Sequence, residues 1–320
     1  MTEEERSAIV EMLNQDIEGE HGAIIQYLLH AYAMGEGEFA AEIEAVARDE
    51  MRHLHWLAEE VVELGGKPSM KLGTVTFEAR EEGVPVSLGP GGPVDWMRQD
   101  VGLERDAIAL YRKHAAVIDA PGILRLLRRV ISDEERHEGV FASLAGEIPE
   151  KGVEPELTGK GVGAGEDTLP ARTLEILQQG LRHEYTVILQ YLYHSFLAPC
   201  EIGRELEMQA INEMQHMGWF AEEVAGKGIV PHMGHDPFDT SEDTADMLRA
   251  DIAAERAVTM DYEAQLEELE DPGLKELLGY IRDHEVYHDE LFSDMLEEVK
   301  KAEAAKPKPT VGSLLGEKQE

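Results

Sequence analysis

Asp49-Glu50-Met51-Arg52-His53 is the stretch on which the fold turns, because its Glu-x-x-His spacing returns as Glu134 with His137, Glu213 with His216 and Glu285 with His288. Each half of the chain also carries two lone glutamates set in apolar stripes, Glu20 and Glu104 in the first and Glu184 and Glu255 in the second. One Glu from each of two helices, joined by a Glu-x-x-His pair from each of two others, is the known ligand set of a dinuclear carboxylate metal site inside a four-helix bundle. The chain matches that set once in each half.

The spacing alone is a weak signal: in a chain this rich in Glu, composition yields about two chance matches, and Glu18 with His21 reads as one of them. Position separates the others. Leu13, Ile17, Glu20, Ile24 and Tyr27 form one helical stripe, and Leu177, Leu181, Glu184, Ile188 and Tyr191 repeat it. Met97, Val101, Glu104, Ile108 and Tyr111 form another, as do Ile281, Glu285, His288 and Phe292. A carboxylate in the middle of such a stripe points at the core, where an ionised group costs several kcal/mol or more and four would repel one another. Cations at the centre make the arrangement tolerable. The competing picture, acidic bundles with solvated Glu and passively packed His, must account for all six positions twice. An oxygen-rich Glu/His set favours iron, then manganese, over structural zinc.

Helical periodicity dominates between Gly/Pro-rich stretches at 65–93, 146–170, 226–237 and 305–312. It predicts four helices per half, at about 3–33, 36–64, 94–118 and 122–145, then 170–197, 201–225, 242–270 and 273–301. The fold expected is all-α: two tandem four-helix bundles, each with one long crossover between its second and third helices. The domains are 1–148 and 170–301, with 149–169 as linker and 302–320 as a flexible tail. The halves are also related residue by residue. Glu20-His-Gly-Ala-Ile-Ile-Gln-Tyr27 lies over Glu184-Tyr-Thr-Val-Ile-Leu-Gln-Tyr191, and Asp49-Glu-Met-Arg-His53 lies over Asn212-Glu-Met-Gln-His216. Tandem duplication is the simplest account. His30 and His194 correspond, as do Tyr111 and Tyr262, whereas His232 and His235 fall in a loop of one half and read as surface residues.

The net charge of -37 over 320 residues opposes binding to nucleic acid or to an anionic membrane. Four carboxylates balance two divalent cations, so part of that charge is accounted for by the sites. Cys200 is the single cysteine, which leaves no internal disulfide and makes a reducing compartment the default. Residues 1–6 lack the basic-then-apolar pattern of a secretory signal, and no apolar run approaches the roughly 20 residues that span a bilayer. The expectation is a soluble, cytoplasmic protein.

At these same motifs the chain resembles the bacterioferritin branch of the ferritin-like superfamily, over nearly all of both halves, and Asp133-Glu-Glu-Arg-His137 resembles that family's fourth-helix motif. The resemblance implies di-iron centres in which Glu20, Glu104, Glu184 and Glu255 are terminal ligands. It implies that Glu50, Glu134, Glu213 and Glu285 bridge the metals, and that His53, His137, His216 and His288 bind one metal each. Tyr27 and Tyr191 fall where the family keeps a tyrosine near the metals, either an electron or hydrogen-bond donor or a core tyrosine with a satisfied hydroxyl. Met51 and Met214 occupy the position of the family's haem ligands. They point about 100° away from the metal-facing Glu beside them, so one haem b between the two halves and plain interface packing are both open. Neither half has the family's short fifth helix, which argues against a self-made storage cage.

The segment from Lys301 to Pro309 reads as a stiff polar linker, followed by Thr310-Val311-Gly312-Ser313-Leu314. That apolar tip resembles the C-terminal cargo-loading peptides that dock ferritin-like proteins inside encapsulin shells. The implied function is a ferroxidase that oxidises Fe(II) with dioxygen or peroxide for iron storage or detoxification, as cargo of an encapsulin compartment. Two alternatives stay open: a rubrerythrin-like enzyme that reduces peroxide or oxygen, and a haem-binding redox carrier. The absence of rubredoxin-like Cys pairs favours the ferroxidase.

Overall fold

A computed structural model describes residues 1–35, 37–73, 91–148 and 168–305. Among them are eight α-helices and no sheet: α1 Glu3–Met34, α2 Glu38–Glu63, α3 Pro93–Ala115, α4 Pro121–Glu147, α5 Ala171–Leu197, α6 Cys200–Ala225, α7 Thr244–Glu268 and α8 Pro272–Ala305. Local chemistry sets the ends. Thr2 opens α1 with a capping box, its hydroxyl accepting from the Glu5 amide at 3.2 Å while its own amide donates to the Glu5 carboxylate at 2.7 Å. Pro93 and Pro121 start α3 and α4 at positions whose N–H has no helical partner anyway. Asp243 caps α7, and Gly35 ends α1 at φ +72°, a conformation that other residues adopt only with strain.

The final helix runs to Ala305, past the point where the sequence suggested a linker. Residues 301–305 are Lys-Ala-Glu-Ala-Ala, all strong helix formers. The Thr310–Leu314 segment lies outside the described residues, as does most of the first crossover and of the 149–169 linker.

The chain divides into two compact units, one of Met1–Leu197 with Gly203–Phe238, the other of Ala198–Ile202 with the segment from Asp239 on. The first holds the α1–α4 bundle. Its core is built from Leu13 and Ile17 of α1, Ile43 and Leu57 of α2, Met97 of α3, and Leu127 and Phe141 of α4, all fully buried. Phe141 packs on Tyr27 with ring centroids 4.7 Å apart.

The same unit contains α5 and most of α6: α5 packs on α2 and meets α1 at His21, and Gly218 of α6 lies beside Tyr32 of α1. This explains why α1 is buried without interruption from Glu20 to Ala33 rather than along one stripe only. One face lines the bundle core and the other meets α5, where Nε2 of His21 lies 2.5 Å from the Tyr185 hydroxyl. A cleft of about 1140 Å³ opens between these helix pairs, lined by Leu28, Met51 and Trp56 on one side and Ile188, Met214 and Trp219 on the other.

The second unit is the α7–α8 hairpin. Asp271 starts α8 by accepting from the amides of Gly273 and Leu274. Leu248, Ile252 and Tyr262 of α7 and Leu278, Ile281 and Phe292 of α8 are buried. Among the described residues no helix is long and apolar enough to cross a membrane.

Candidate metal centre

Each helix of the first bundle delivers its expected group to one point: Glu20 from α1, Glu50 and His53 from α2, Glu104 from α3, and Glu134 and His137 from α4, none more than 4% exposed. Ligand atoms of Glu20, Glu50, His53 and Glu134 lie within 4.8 Å of one another, and so do those of Glu50, Glu104, Glu134 and His137. The quartets share Glu50 and Glu134. The sharing is atom by atom: Nδ1 of His53 lies 2.8 Å from Glu50 Oε2 and 3.1 Å from Glu134 Oε1. Nδ1 of His137 lies 2.8 Å from Glu50 Oε1 and 3.0 Å from Glu134 Oε2. Glu20 Oε2 stands 3.6 Å from the first imidazole and Glu104 Oε1 4.0 Å from the second. One N–H satisfies one carboxylate well, whereas three carboxylates converging on one ring nitrogen is the surrounding a cation needs. The donor set therefore fits two ions that share a pair of carboxylates.

Without cations the cluster holds protons. Burial pushes the Glu50 and Glu134 carboxyls well above the usual range, and the neighbouring carboxylates add to it. Burial also raises Glu104, to about 7. Burial opposes charge on Glu20 too, but the His53 imidazole outweighs it and holds that carboxyl low. For His53 burial favours the neutral ring, yet Glu134, Glu20 and Glu50 prevail and raise it above its ordinary value. Divalent ions must displace these protons, so their affinity rises with pH, steeply up to about pH 7 and further above it, where the more strongly raised groups still titrate. A pH-stat measurement on metal-stripped protein should record more than one proton released per filled centre when Zn(II) is added at pH 6.5. Zinc binding without proton release would contradict this account.

The groups behind the cluster follow a rule that the sequence reading did not extract. Asp16, Glu20, Tyr27 and His30 on α1 have the same spacing as Asp100, Glu104, Tyr111 and His114 on α3. The two sets brace each other. The Tyr27 hydroxyl donates to Glu104 at 2.6 Å, and that of Tyr111 donates to Glu20. Burial first, and then the facing glutamate, raise both phenols well above their ordinary value, so they remain donors. Nδ1 of His30 lies 2.8 Å from Asp100, which also accepts from the Gln26 amide at 2.6 Å, and Nδ1 of His114 lies 2.9 Å from Asp16. Burial pushes the Asp16 carboxyl up to about 6 against the pull of His114. Comparing the first helix with the third, rather than half with half, would have found these pairs.

Outside the imidazoles stand two more carboxylates whose part was not foreseen. Asp133 Oδ2 lies 3.4 Å from Nε2 of His53, and Asp49 Oδ2 lies 3.4 Å from Nε2 of His137. Each Glu-x-x-His motif thus lends its preceding Asp to the histidine of the other.

In the second half the structure brings together Glu184, Glu213 and His216, with Nδ1 of His216 2.7 Å from Glu213 and 3.7 Å from Glu184. In the α7–α8 hairpin, Nδ1 of His288 lies 3.3 Å from Glu285 and 3.6 Å from Glu255. All six are no more than 1% exposed, and Tyr191 and Tyr262 are buried with them. The repeat is imperfect behind the cluster: Gly180 stands where α1 has Asp16, and Gln265 where α3 has His114. A β-carbon at Gly180 would come within 2.7 Å of the Phe220 ring, which fills that space.

Met51 and Met214 are half-buried on the cleft wall. His232 is exposed as expected, but His235 is half-buried against Tyr185, with centroids 5.3 Å apart, because its loop folds back over α5. His21 is no ligand: its ring bonds to Tyr185 and to the Lys71 carbonyl, and burial lowers it to about 4, keeping it neutral.

The family model for the ferritin-like domain matches the chain at 10–150 and again at 174–302. A bacterioferritin from Desulfovibrio desulfuricans is 30% identical over 156 residues, which is 47% of this chain and 81% of that protein. The X-ray structure of the bacterioferritin from that organism, which presents its diiron site in different catalytic states, aligns at 28% identity. It covers 45% of this chain and 82% of its own, with a TM-score of 0.40. Bacterioferritin BfrA of Mycobacterium tuberculosis aligns at 22% identity over 42% of this chain and 82% of its own, with a TM-score of 0.36. With the domain matched twice and the ligand set found in each match, the chain belongs to the ferritin-like family and carries its domain in tandem.

Proposed function

We propose that the protein is a di-iron ferroxidase with two centres, Glu20, Glu50, His53, Glu104, Glu134 and His137 holding one and Glu184, Glu213, His216, Glu255, Glu285 and His288 the other. The observation that carries the reading is the pair of quartets sharing Glu50 and Glu134, each offering one oxygen to each imidazole. Fe(II) is the substrate. Four carboxylates neutralise two divalent ions, and carboxylate oxygens hold the ferric product better still, which drives oxidation forward. Two Fe(II) ions supply the two electrons that turn dioxygen and two protons into hydrogen peroxide, or peroxide and two protons into water. Tyr27 and Tyr111 fix the outer carboxylates of Glu104 and Glu20 by donating to them, and the apolar shell from Leu13 to Phe141 limits water around the cluster. Manganese fits the same donors.

Oxygen uptake during stepwise Fe(II) addition tests this. A ferroxidase consumes oxygen through many Fe(II) equivalents per centre. Uptake that stops once the centres are filled, and resumes only with a reductant, would make iron the resident cofactor of a peroxide- or oxygen-reducing enzyme.

The cleft supports a haem-binding part of the proposal. Met51 and Met214 face it from opposite walls among Trp56, Trp219 and aliphatic side chains, and its volume suits a group of that size. Haem b held by the two thioethers gives a Soret band that Met51→Leu with Met214→Leu should abolish. A band that survives both changes would remove this assignment. The iron chemistry is further proposed to serve storage or detoxification inside an encapsulin compartment of the cytoplasm, reached through Thr310–Leu314, whose sequence resembles the cargo-loading peptides of such shells. Co-expression with an encapsulin shell protein after deletion of 310–320 is the check, and undiminished packaging rules the tail out.

A further inference from the structure

We infer that the two centres hold metal with unequal strength, the first-half centre the tighter, because Asp49 and Asp133 back its imidazoles and the second half has replaced both. The inference rests on the di-metal reading above. In the first bundle the inner nitrogens, Nδ1 of His53 and His137, face the glutamates, and the outer nitrogens face Asp133 and Asp49 at 3.4 Å. A carboxylate that accepts from the outer N–H fixes the tautomer whose inner lone pair is free for metal, orients the ring and raises its donor strength. Arg136 also pairs with Asp49 and lies 3.1 Å from Nε2 of His137, an approach suited to that nitrogen only when it is unprotonated. A cation on Nδ1 settles the proton on Nε2 and so turns that nitrogen toward Asp49.

The repeat aligns Asp49 with Asn212 and Asp133 with His284. Asn212 is already engaged, its amide donating to Gln209 at 2.8 Å, and His284 packs on Tyr280 with centroids 4.3 Å apart. An amide and an imidazole bring no negative charge to these positions. The repeat also aligns Gly180 with Asp16 and Gln265 with His114, so the buried Asp16–His114 pair has no counterpart in sequence, and the Phe220 ring fills the space beside Gly180. Asp49 and Asp133 are only 16% and 31% exposed and make their histidine contacts from outside the apolar core, so they are positioning residues rather than ligands. Division of labour follows: the first centre retains its ions, and the second exchanges them.

The test is anaerobic Co(II) titration of the full metal-stripped chain, read by the visible d–d bands and by competition with a chelator. Two classes of site are expected, differing by about 10- to 100-fold in affinity, the range over which such outer carboxylates act. In Asp49→Asn with Asp133→Asn the tight class should weaken by a similar factor and merge with the other. In Asn212→Asp with His284→Asp the weak class should tighten, a gain that general damage to the fold does not produce. A single class in the native chain overturns the inference while leaving the di-metal reading intact, as does a tight class indifferent to the Asp49 and Asp133 changes. No Co(II) binding at all would instead overturn the di-metal reading and this inference with it.

Discussion

Glu50→Leu is expected to empty the first centre of both ions at once while leaving the metal-free chain at least as stable as the native one. Glu50 gives one oxygen toward each imidazole, so its loss removes a ligand from both quartets. Outer carboxylates alone change metal affinity by about 10- to 100-fold, so a shared inner one must exceed about 100-fold. Bound zinc should fall from about four to about two ions per chain, and Glu50→Leu with Glu213→Leu should bring Fe(II)-dependent oxygen uptake to the protein-free rate. Retention of both first-centre ions in Glu50→Leu would show that the bridging assignment is wrong.

The stability half of this prediction follows from charge. Four buried carboxylates face two imidazoles, so without Glu50 each imidazole still has Glu134 and either Glu20 or Glu104 beside it, and the loss removes part of a like-charge excess whose burial is unfavourable. The sign with pH is fixed by the same groups. Glu50, Glu104 and Glu134 bind protons more tightly folded than unfolded, so the stability their protonation gives is lost as pH rises above the ordinary carboxylate range toward the raised values, about 7 for Glu104. His53 is raised as well, and its contribution, present below the ordinary imidazole value, is likewise lost as pH rises. Metal-stripped native protein should therefore melt lower at pH 8 than at pH 5.5, with Glu50→Leu flattening the slope. Calorimetry in the presence of a chelator measures both.

Asp100→Ala should be the most damaging change outside the ligands, at about 3–5 kcal/mol, the cost of breaking a buried pair by removing one partner. Asp100 is fully buried and both of its oxygens are used, one by His30 and one by Gln26, while His30 stacks on Trp96 at a 5.4 Å centroid separation. A loss of that size lowers Tm by roughly 10 °C in a chain of this class. Asp16→Ala provides the internal comparison and should cost less. Burial already pushes Asp16 up to about 6, and the second half dispenses with its counterpart, as Gly180 shows. The Asp100 counterpart, Asp251, is retained. If the two substitutions proved equal, the pairs would be interchangeable struts.

Much of this molecule could be read before folding. The stripes through Glu20, Glu104 and Glu285 gave helices whose ends fall within a few residues of those found, because apolar spacing of three and four is a property of one segment alone. The same spacing marked each candidate ligand as core-facing, and all twelve side chains are buried. The tail boundary was read too early, since Pro307 and Pro309 drew attention away from the helix-forming run before them. The Asp16–His114 and Asp100–His30 pairs went unnoticed because an aspartate one turn from a ligand has the same spacing whether it meets solvent or a histidine on another helix.

Sequence by itself determined the eight helices found among the described residues, the apolar stripe of each and the residues that stripe carries, since helical periodicity depends on neighbours within one chain segment. Only the packing of helix on helix decided that Glu50 and Glu134 are the shared carboxylates, that each Asp of the Glu-x-x-His motifs serves the opposite histidine, and that a cleft separates Met51 from Met214. Those facts depend on distances between segments far apart in the chain, which a one-dimensional pattern does not contain.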